Sequence, residues 1–522
     1  MISAARCAAI LLLCCCGFPA RAADRPPIER GTAIIDPLAL RELDHGRFAL
    51  SRIMAPARPA DVPLTNADLF ALPSMAPVRK ALEDDFERYI AKHKSELPNE
   101  SIGVGADFAF QLFDRAQLFP PDTRFVLSGI VNRMDRAYVA PESCGEVRLL
   151  YRLTQTHAQA IGEAAVTPRL PMTLNVVLKA KGDHAVDANG KAMTCAEIAR
   201  SWLAAGSITA TGAELAERLA AKGGALDLIA PENIHSIETN LQIAHAPKSA
   251  TRDFRTDYLM KVFNYDAASK TFIETPLENQ IDRERLLADE SLARDFKAWL
   301  LDPVHFAALD RGTIVIPDRF LTKSAIAPTP VGFVPSNLLP AFGLVAGEDG
   351  SKNPLFSESD VVSALEKAAR SGAKLQNIRS VAGFERRLND MSCAGCHQTR
   401  GIGGFHFPGV DWMAAKPSNF TVVPASPHFF GDQVRRRDIL AAFAAGKAPD
   451  FSRGFAARPQ LRGSTELAGT EYDDGWGAHC YLQRPNAADN DRSFRSWTCA
   501  EGLACQVAGQ TSRMGMCFVK SR

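Results

Sequence analysis

One stretch of the chain carries residues whose types and spacing can do chemistry. Residues 392–400 read SCAGCHQTR, which sets Cys393, Cys396 and His397 in a C-x-x-C-H pattern. Two thiols three positions apart on one helical turn reach the two vinyl groups of a haem and form thioethers. The adjacent imidazole then stands beneath the iron as its proximal ligand. Other uses of a C-x-x-C pair are chemically weaker here. A thioredoxin-like dithiol follows a strand, whereas a helical stripe precedes this motif. Half of a zinc site needs a second Cys/His pair at close spacing. A vicinal disulfide closes a strained, reactive loop. The expected cofactor is one covalent haem c, and the metal ligand is His397.

On the strength of that motif, the segment resembles the cytochrome c family. The chain continues GIGGFHFPGV over residues 401–410. Mono-haem cytochromes c carry a Gly-rich stretch leading to a proline past the ligand, whose carbonyl accepts the proximal imidazole N–H. The resemblance therefore implies that Pro408 orients His397 and raises its basicity. It covers residues 358–450, a small part of the 522-residue chain. It departs from the family at the sixth iron position, because no Met lies between Met413 and Met514. Met413 and His428 are the candidate distal ligands, with His406 and His305 as further options and an open distal face as the alternative.

The twelve cysteines say where this chemistry takes place. Arg6, an apolar run from Cys7 to Phe18 and the small-x-small site Ala20-Arg21-Ala22 read as a secretory signal over residues 1–22. The run is too short to span a bilayer, and no later segment reaches that length. Export, most simply to a periplasm, agrees with haem attachment outside the cytoplasm. Removing the signal takes away Cys7, Cys14, Cys15 and Cys16 and leaves eight cysteines, which an oxidising compartment should pair or occupy. Cys144 with Cys195 is one expected bridge. Cys480, Cys499, Cys505 and Cys517 lie in a Gly- and polar-rich stretch with little core of its own, for which two disulfides are the economical reading. Three pairings of those four remain open.

Weaker patterns yield to plainer readings. Asp187-x-Asn189-Gly190 resembles part of a calcium loop but has Ala185 and Ala196 at ligand positions, so a turn is expected. Arg435-Arg436-Arg437 could meet a haem propionate or an acidic partner, and a solvated charged turn is the plainer reading. Asp84-Asp85 reads as the wet face of a helix. With 60 basic against 59 acidic side chains there is no global field for nucleic acid.

Several elements must position the motif. Residues 23–74, rich in Pro and Ala, read as an extended lead-in. Val78, Leu82, Phe86 and Tyr89 repeat at helical spacing. Val147, Leu149, Tyr151 and Leu153 alternate with Arg148 and Arg152, and Met172 to Leu178 alternate likewise, as half-buried strands do. Phe125–Val131, Ile237–Ile243 and a hairpin from Tyr258–Tyr265 to Thr271–Glu274 add further strands. Helices are expected at Cys195–Ala205, Gly212–Lys222 and Asp282–Leu301. Pro328–Pro340 reads as a connector. Beyond it Ser357 or Ser359 caps a helix closed by Gly372, and a second stripe from Ile378 to Met391 runs into the motif.

The expected fold class is multidomain. An α+β domain of unknown role spans 75–340, a mainly helical cytochrome c-like haem domain 351–460, and a small disulfide-rich segment 470–522. The first expected function is single-electron transfer to a redox partner protein. The alternatives are a haem-dependent peroxidase or oxidase with an open distal site, and a haem-based sensor or binding protein.

Overall fold

Alternation of apolar and polar residues builds the centre of the molecule as a large antiparallel sheet. The computed structural model describes residues 28–330 with short breaks at 60–61, 97, 99–101, 104–109, 112–117, 157–158, 162–163, 167–168, 183, 188 and 246–254. It further describes 355–394, 432–453 and the segments 479–483, 498–499, 503–507 and 514–519. The strands are β1 (Ala33–Ile34), β2 (Ile102–Gly103), β3 (Phe110–Gln111), β4 (Thr123–Arg133), β5 (Glu146–Gln155), β6 (Arg169–Lys179), β7 (Ile234–His245), β8 (Arg255–Asp266), β9 (Thr271–Thr275) and β10 (Ala325–Pro330). Their order is β1-β4-β5-β6-β7-β8-β9, with β10 also on β8 and β3 on β7. All pairs are antiparallel except the two-residue β2–β3 pair.

One face of the sheet is apolar. Leu149, Tyr151, Leu174, Val176, Ile237 and Phe263 from β5 to β8 join the first core. Helices α1 (Pro37–His45), α2 (Ala76–Glu96), α3 (Cys195–Ala205) and α4 (Gly212–Ala220) add their own apolar residues to it. Cys144 and Cys195 are disulfide-bonded, which ties the loop before β5 to the start of α3. The strand and helix expectations over 76–300 hold in place. The span Asp282–Leu301 is broken at Asp289, whose carboxylate accepts from the N–H groups of Ser291 and Leu292 and starts a new helix, α5 (Glu290–Leu300). Residues 23–74 are not an extended lead-in where described. Asp36 caps α1 ahead of Pro37, and Thr65 with Asp68 forms a capping box over Asn66–Ala71. These helices are too short to display a long apolar period.

The fold class requires a correction. The sheet dominates the structure, and the helices on either side of the motif do not make a mainly helical cytochrome c-like domain. Helices α7 (Glu358–Arg370) and α8 (Val381–Asp390) share a second core with α5, with α6 (Pro303–Arg311) and with Phe320. Helix α9 (Gln433–Ala444) instead lays Leu440 into the first core beside α3. The apolar stripes are those that the sequence displays, but their partners come from residues far away in the chain. Among the described residues no helix is long and apolar enough to cross a membrane. In the C-terminal segment β11 (His479–Tyr481), β12 (Leu503–Val507) and β13 (Met514–Val519) form a small sheet in the order β11-β13-β12. Cys499 and Cys505 each take part in a disulfide in this segment. The side chains of Cys480 and Cys517, like the signal segment, lie outside the described residues.

Candidate functional site

The site begins at the anchoring of α8. The Asp310 carboxylate, at the end of α6, accepts the backbone N–H groups of Gln376, Asn377 and Ile378 at 3.0, 2.8 and 2.7 Å. Arg387 on α8 is fully buried and donates to the carbonyls of Leu309, Asp310 and Arg453. Phe384, Leu388 and Met391 fill the second core. So pinned, the end of α8 delivers Cys393 and Ala394 to the other face of the sheet. There they pack with Met260, Leu277, Ala325 and Ala327. The Ala394 N–H donates to the Gln280 side chain at 2.8 Å, and the Cys393 thiol faces the Glu278 carbonyl at 3.6 Å.

Cys393 borders a cavity of about 290 Å³ on this second face. Strand register lays out its wall. Asn175 on β6 stands opposite Glu238 on β7, which stands opposite Val262 on β8; Asn240 stands opposite Met260. Arg148 on β5 donates to Glu146 and Glu238, at 3.0 and 2.9 Å. Arg136 donates to Glu146 at 3.2 Å and makes a two-pronged pair with Glu278. Burial alone would raise the carboxyls of Glu146 and Glu278. Burial is the largest single effect, but the opposing charges and hydrogen bonds together outweigh it, from Arg136, Arg148 and Arg133 at Glu146 and from Arg136 and Arg453 at Glu278, so Glu278 is lowered and Glu146 falls to about 2. Both stay ionised at any physiological pH. Burial also lowers the imidazole of His235, which keeps it neutral there.

A second ionic cluster joins the end of β4 to α9. Asp135 is almost fully buried and accepts from Arg133 at 2.8 Å and from Arg435 at 2.9 Å, with Arg453 at 3.6 Å. Asp432 holds Arg435 and Arg436 from the helix start. Of the run Arg435-Arg436-Arg437, the first two are therefore structural ion-pair members rather than a solvated turn. Asp85 is likewise buried, against Lys261, Arg88 and the Ser324 hydroxyl, while Asp84 stays on the wet face with Lys80. Asp187 makes the expected turn, its side chain accepting from Asn189 and Lys191. His305 stacks on Trp299 at 4.0 Å, with Nδ1 against the Trp299 carbonyl.

Cys396, His397, His406, Pro408, Met413 and His428 lie outside the described residues. Among those described, no group of three or more His, Cys, Asp or Glu side chains is set to hold a metal ion. The described surroundings of Cys393 are apolar on one side and charged on the other. Cys393 is half-buried three residues beyond the end of α8, with Met260, Val262, Leu277 and Met391 offering an apolar wall. Comparison of the chain with protein-family models, curated proteins and solved structures finds no match.

The polar wall itself was not singled out from the sequence. Its signal is the second set of alternating positions: Glu146 with Arg148 on β5, and Glu238 with Asn240 on β7. Such sets normally face water. Here they face a cavity, because residues 275–278, 315–321 and those that follow α8 border this side of the sheet.

Proposed function

We propose that the chain is an exported protein carrying one haem c on Cys393, Cys396 and His397, which passes single electrons to a redox partner protein in the periplasm. The observation supporting this reading is the C-x-x-C-H sequence that follows the anchored α8, with its first thiol beside an apolar wall. The bound haem supplies a one-electron iron couple. This chain's own residues hold it: Asp310 and Arg387 fix α8, and Met260 and Leu277 exclude water from one side. Pro408, by resemblance, orients His397. The Cys144–Cys195 bridge suits an oxidising compartment.

A second reading, a haem-dependent redox enzyme, is favoured by the cavity beside Cys393. Electron transfer alone needs no chamber. Optical spectra of the exported protein, ferric and then reduced, with and without carbon monoxide, separate the two. Sharp reduced bands indifferent to carbon monoxide mean a closed iron, with His428 or Met413 as candidate sixth ligand, and support electron transfer. Bands that shift mean an open iron and support the enzyme. Haem that survives denaturing electrophoresis in the wild type and is lost in the Cys393→Ala/Cys396→Ala variant is the expected result; covalent haem retained by that variant overturns both readings.

A further inference from the structure

Histidine and methionine are side chains that serve a haem iron as axial ligands, and the proposed reading fills one axial place, with His397. Cys393 and His397 belong to one segment, so a ligand from elsewhere in the chain must come from an element that meets that segment. At Cys393 that element is β8. Met260, near the middle of this strand, is 5% exposed and shares a small apolar cluster with Leu277, Ala325, Ala327 and Ala394, against which Cys393 packs. Met260 also lines the cavity that Cys393 borders.

The other described methionine and imidazole side chains are placed differently. Met54, Met75, Met134, Met172 and Met193 belong to the first core or pack against it. His305 is stacked on Trp299 and His93 on Tyr89. His45 ends α1, and His184 lies against Glu232. His235 lines the cavity but stands at the start of β7, five residues before Asn240, the strand partner of Met260. That is roughly 16 Å along the strand. Met391 precedes Cys393 in the same segment and packs with Phe384 and Leu388 in the second core.

Neighbouring strands hold Met260 in place, since it stands opposite Asn240 on β7 and Ala325 on β10. A ligand on a strand paired on both sides is positioned before the haem is bound. Its neighbours Ala325, Ala327 and Ala394 are too short to cover a thioether as leucine or phenylalanine would. We infer that Met260 is the sixth ligand of the haem iron, supplied by the central sheet rather than by Met413 or His428 beyond the motif. The inference rests on the haem reading proposed above. It gives the sheet a part in the redox chemistry, because a thioether ligand holds the iron at a higher reduction potential than a second imidazole does.

The test is optical spectroscopy and redox titration of the full exported protein, as wild type and as Met260→Leu, Met260→His, Met391→Leu and Met413→Leu. Leucine conserves the volume of methionine, a swap that cores tolerate. The ferric wild type should show the weak red sulfur-to-iron charge-transfer band of methionine ligation, and the reduced protein should ignore carbon monoxide. Met260→Leu should abolish the band and admit carbon monoxide, with haem content per folded molecule unchanged. Met260→His should also lack the band, yet exclude carbon monoxide again and lower the reduction potential. Met391→Leu and Met413→Leu should keep the band. A wild type that lacks the band or binds carbon monoxide, a band retained in Met260→Leu, or a band lost in Met391→Leu or Met413→Leu overturns the assignment. Haem staining after denaturing electrophoresis reads covalent attachment separately. Stained protein without the Met260 signature removes this inference alone, whereas unstained wild type removes the haem reading with it.

Discussion

Asp135→Asn removes the carboxylate shared by Arg133, Arg435 and Arg453 where β4 meets α9. The acid is 2% exposed, with Arg133 at 2.8 Å and Arg435 at 2.9 Å. Taking one partner from a buried ion pair costs about 3–5 kcal/mol, because the remaining charge stays desolvated. The asparagine retains one acceptor oxygen, so a loss near about 3 kcal/mol is expected. Urea unfolding at pH 7, followed by tryptophan fluorescence and far-UV circular dichroism, reads it as a lower midpoint at unchanged slope. An acid series gives a second readout. Burial would raise the Asp135 carboxyl, but the surrounding arginines outweigh it and hold it well below its ordinary value. Its contribution is therefore complete above the unfolded-state value of about 3.9 and is lost as pH falls below that towards the depressed folded value. The wild type should lose stability on acidification through that window more steeply than the variant. A loss under about 1 kcal/mol, the value of an exposed pair, together with parallel acid limbs would refute the idea that the cluster acts as a buried unit.

Two further substitutions address other buried groups. Burial raises the Asp44 carboxyl from 3.8 to about 6, against the opposing backbone bond from Leu127. The folded state thus holds the extra proton between those values, and stability falls as pH rises across them, by about 3 kcal/mol at full deprotonation. Asp44→Asn keeps an acceptor for Leu127 and should be more stable than wild type at pH 7, with a flat profile from about pH 4 to 6; a less stable variant at pH 7 contradicts this. Replacing Cys144 and Cys195 by Ala opens a loop with a sequence separation of 51 and should cost about 4 kcal/mol on the chain-entropy account, read as a lower denaturation midpoint under non-reducing conditions.

Much of the sheet was legible because its period-2 positions face one large core. Leu149, Tyr151, Leu174 and Val176 declare that face without ambiguity, and the Ser357–Asp360 capping box declares the start of α7. What local patterns cannot carry is the identity of the partner surface. The stripe Phe384–Leu388–Met391 is equally suited to a free-standing haem domain or to Phe306 and Leu309 on α6, some 80 residues earlier, where it is found. Nor do alternating polar residues announce whether they meet water or a chamber. Arg148 is visible in the sequence; its pairing with Glu238 depends on strand order. The short helices at Asn66–Ala71 and Pro37–His45 were hidden for a different reason, since fewer than three turns give the apolar period little room to repeat.

Residues 278–280 connect the cavity, Cys393 and the second core, which makes Asn279 the most informative position in the molecule. Glu278 holds Arg136 with its side chain and faces the Cys393 thiol with its carbonyl, while Gln280 accepts from the Ala394 N–H. Between them Asn279 takes a left-handed backbone, φ 55°, which asparagine tolerates better than most residues. Its buried side chain accepts from the Ile316 N–H at 2.9 Å and donates to the Ile314 carbonyl at 3.1 Å. Asn279→Gly should lose about 2 kcal/mol through those two hydrogen bonds. Asn279→Ala loses the same bonds and adds the left-handed penalty of about 1–2 kcal/mol, so it should be the worse of the two. On the proposed haem reading, both should lower haem incorporation per folded molecule, measured as haem absorbance against total protein, because the turn that seats Cys393 and Ala394 is loosened. If Asn279→Ala proves as stable as Asn279→Gly, or if haem incorporation is unchanged in both, the turn is not what sets the cysteine in place.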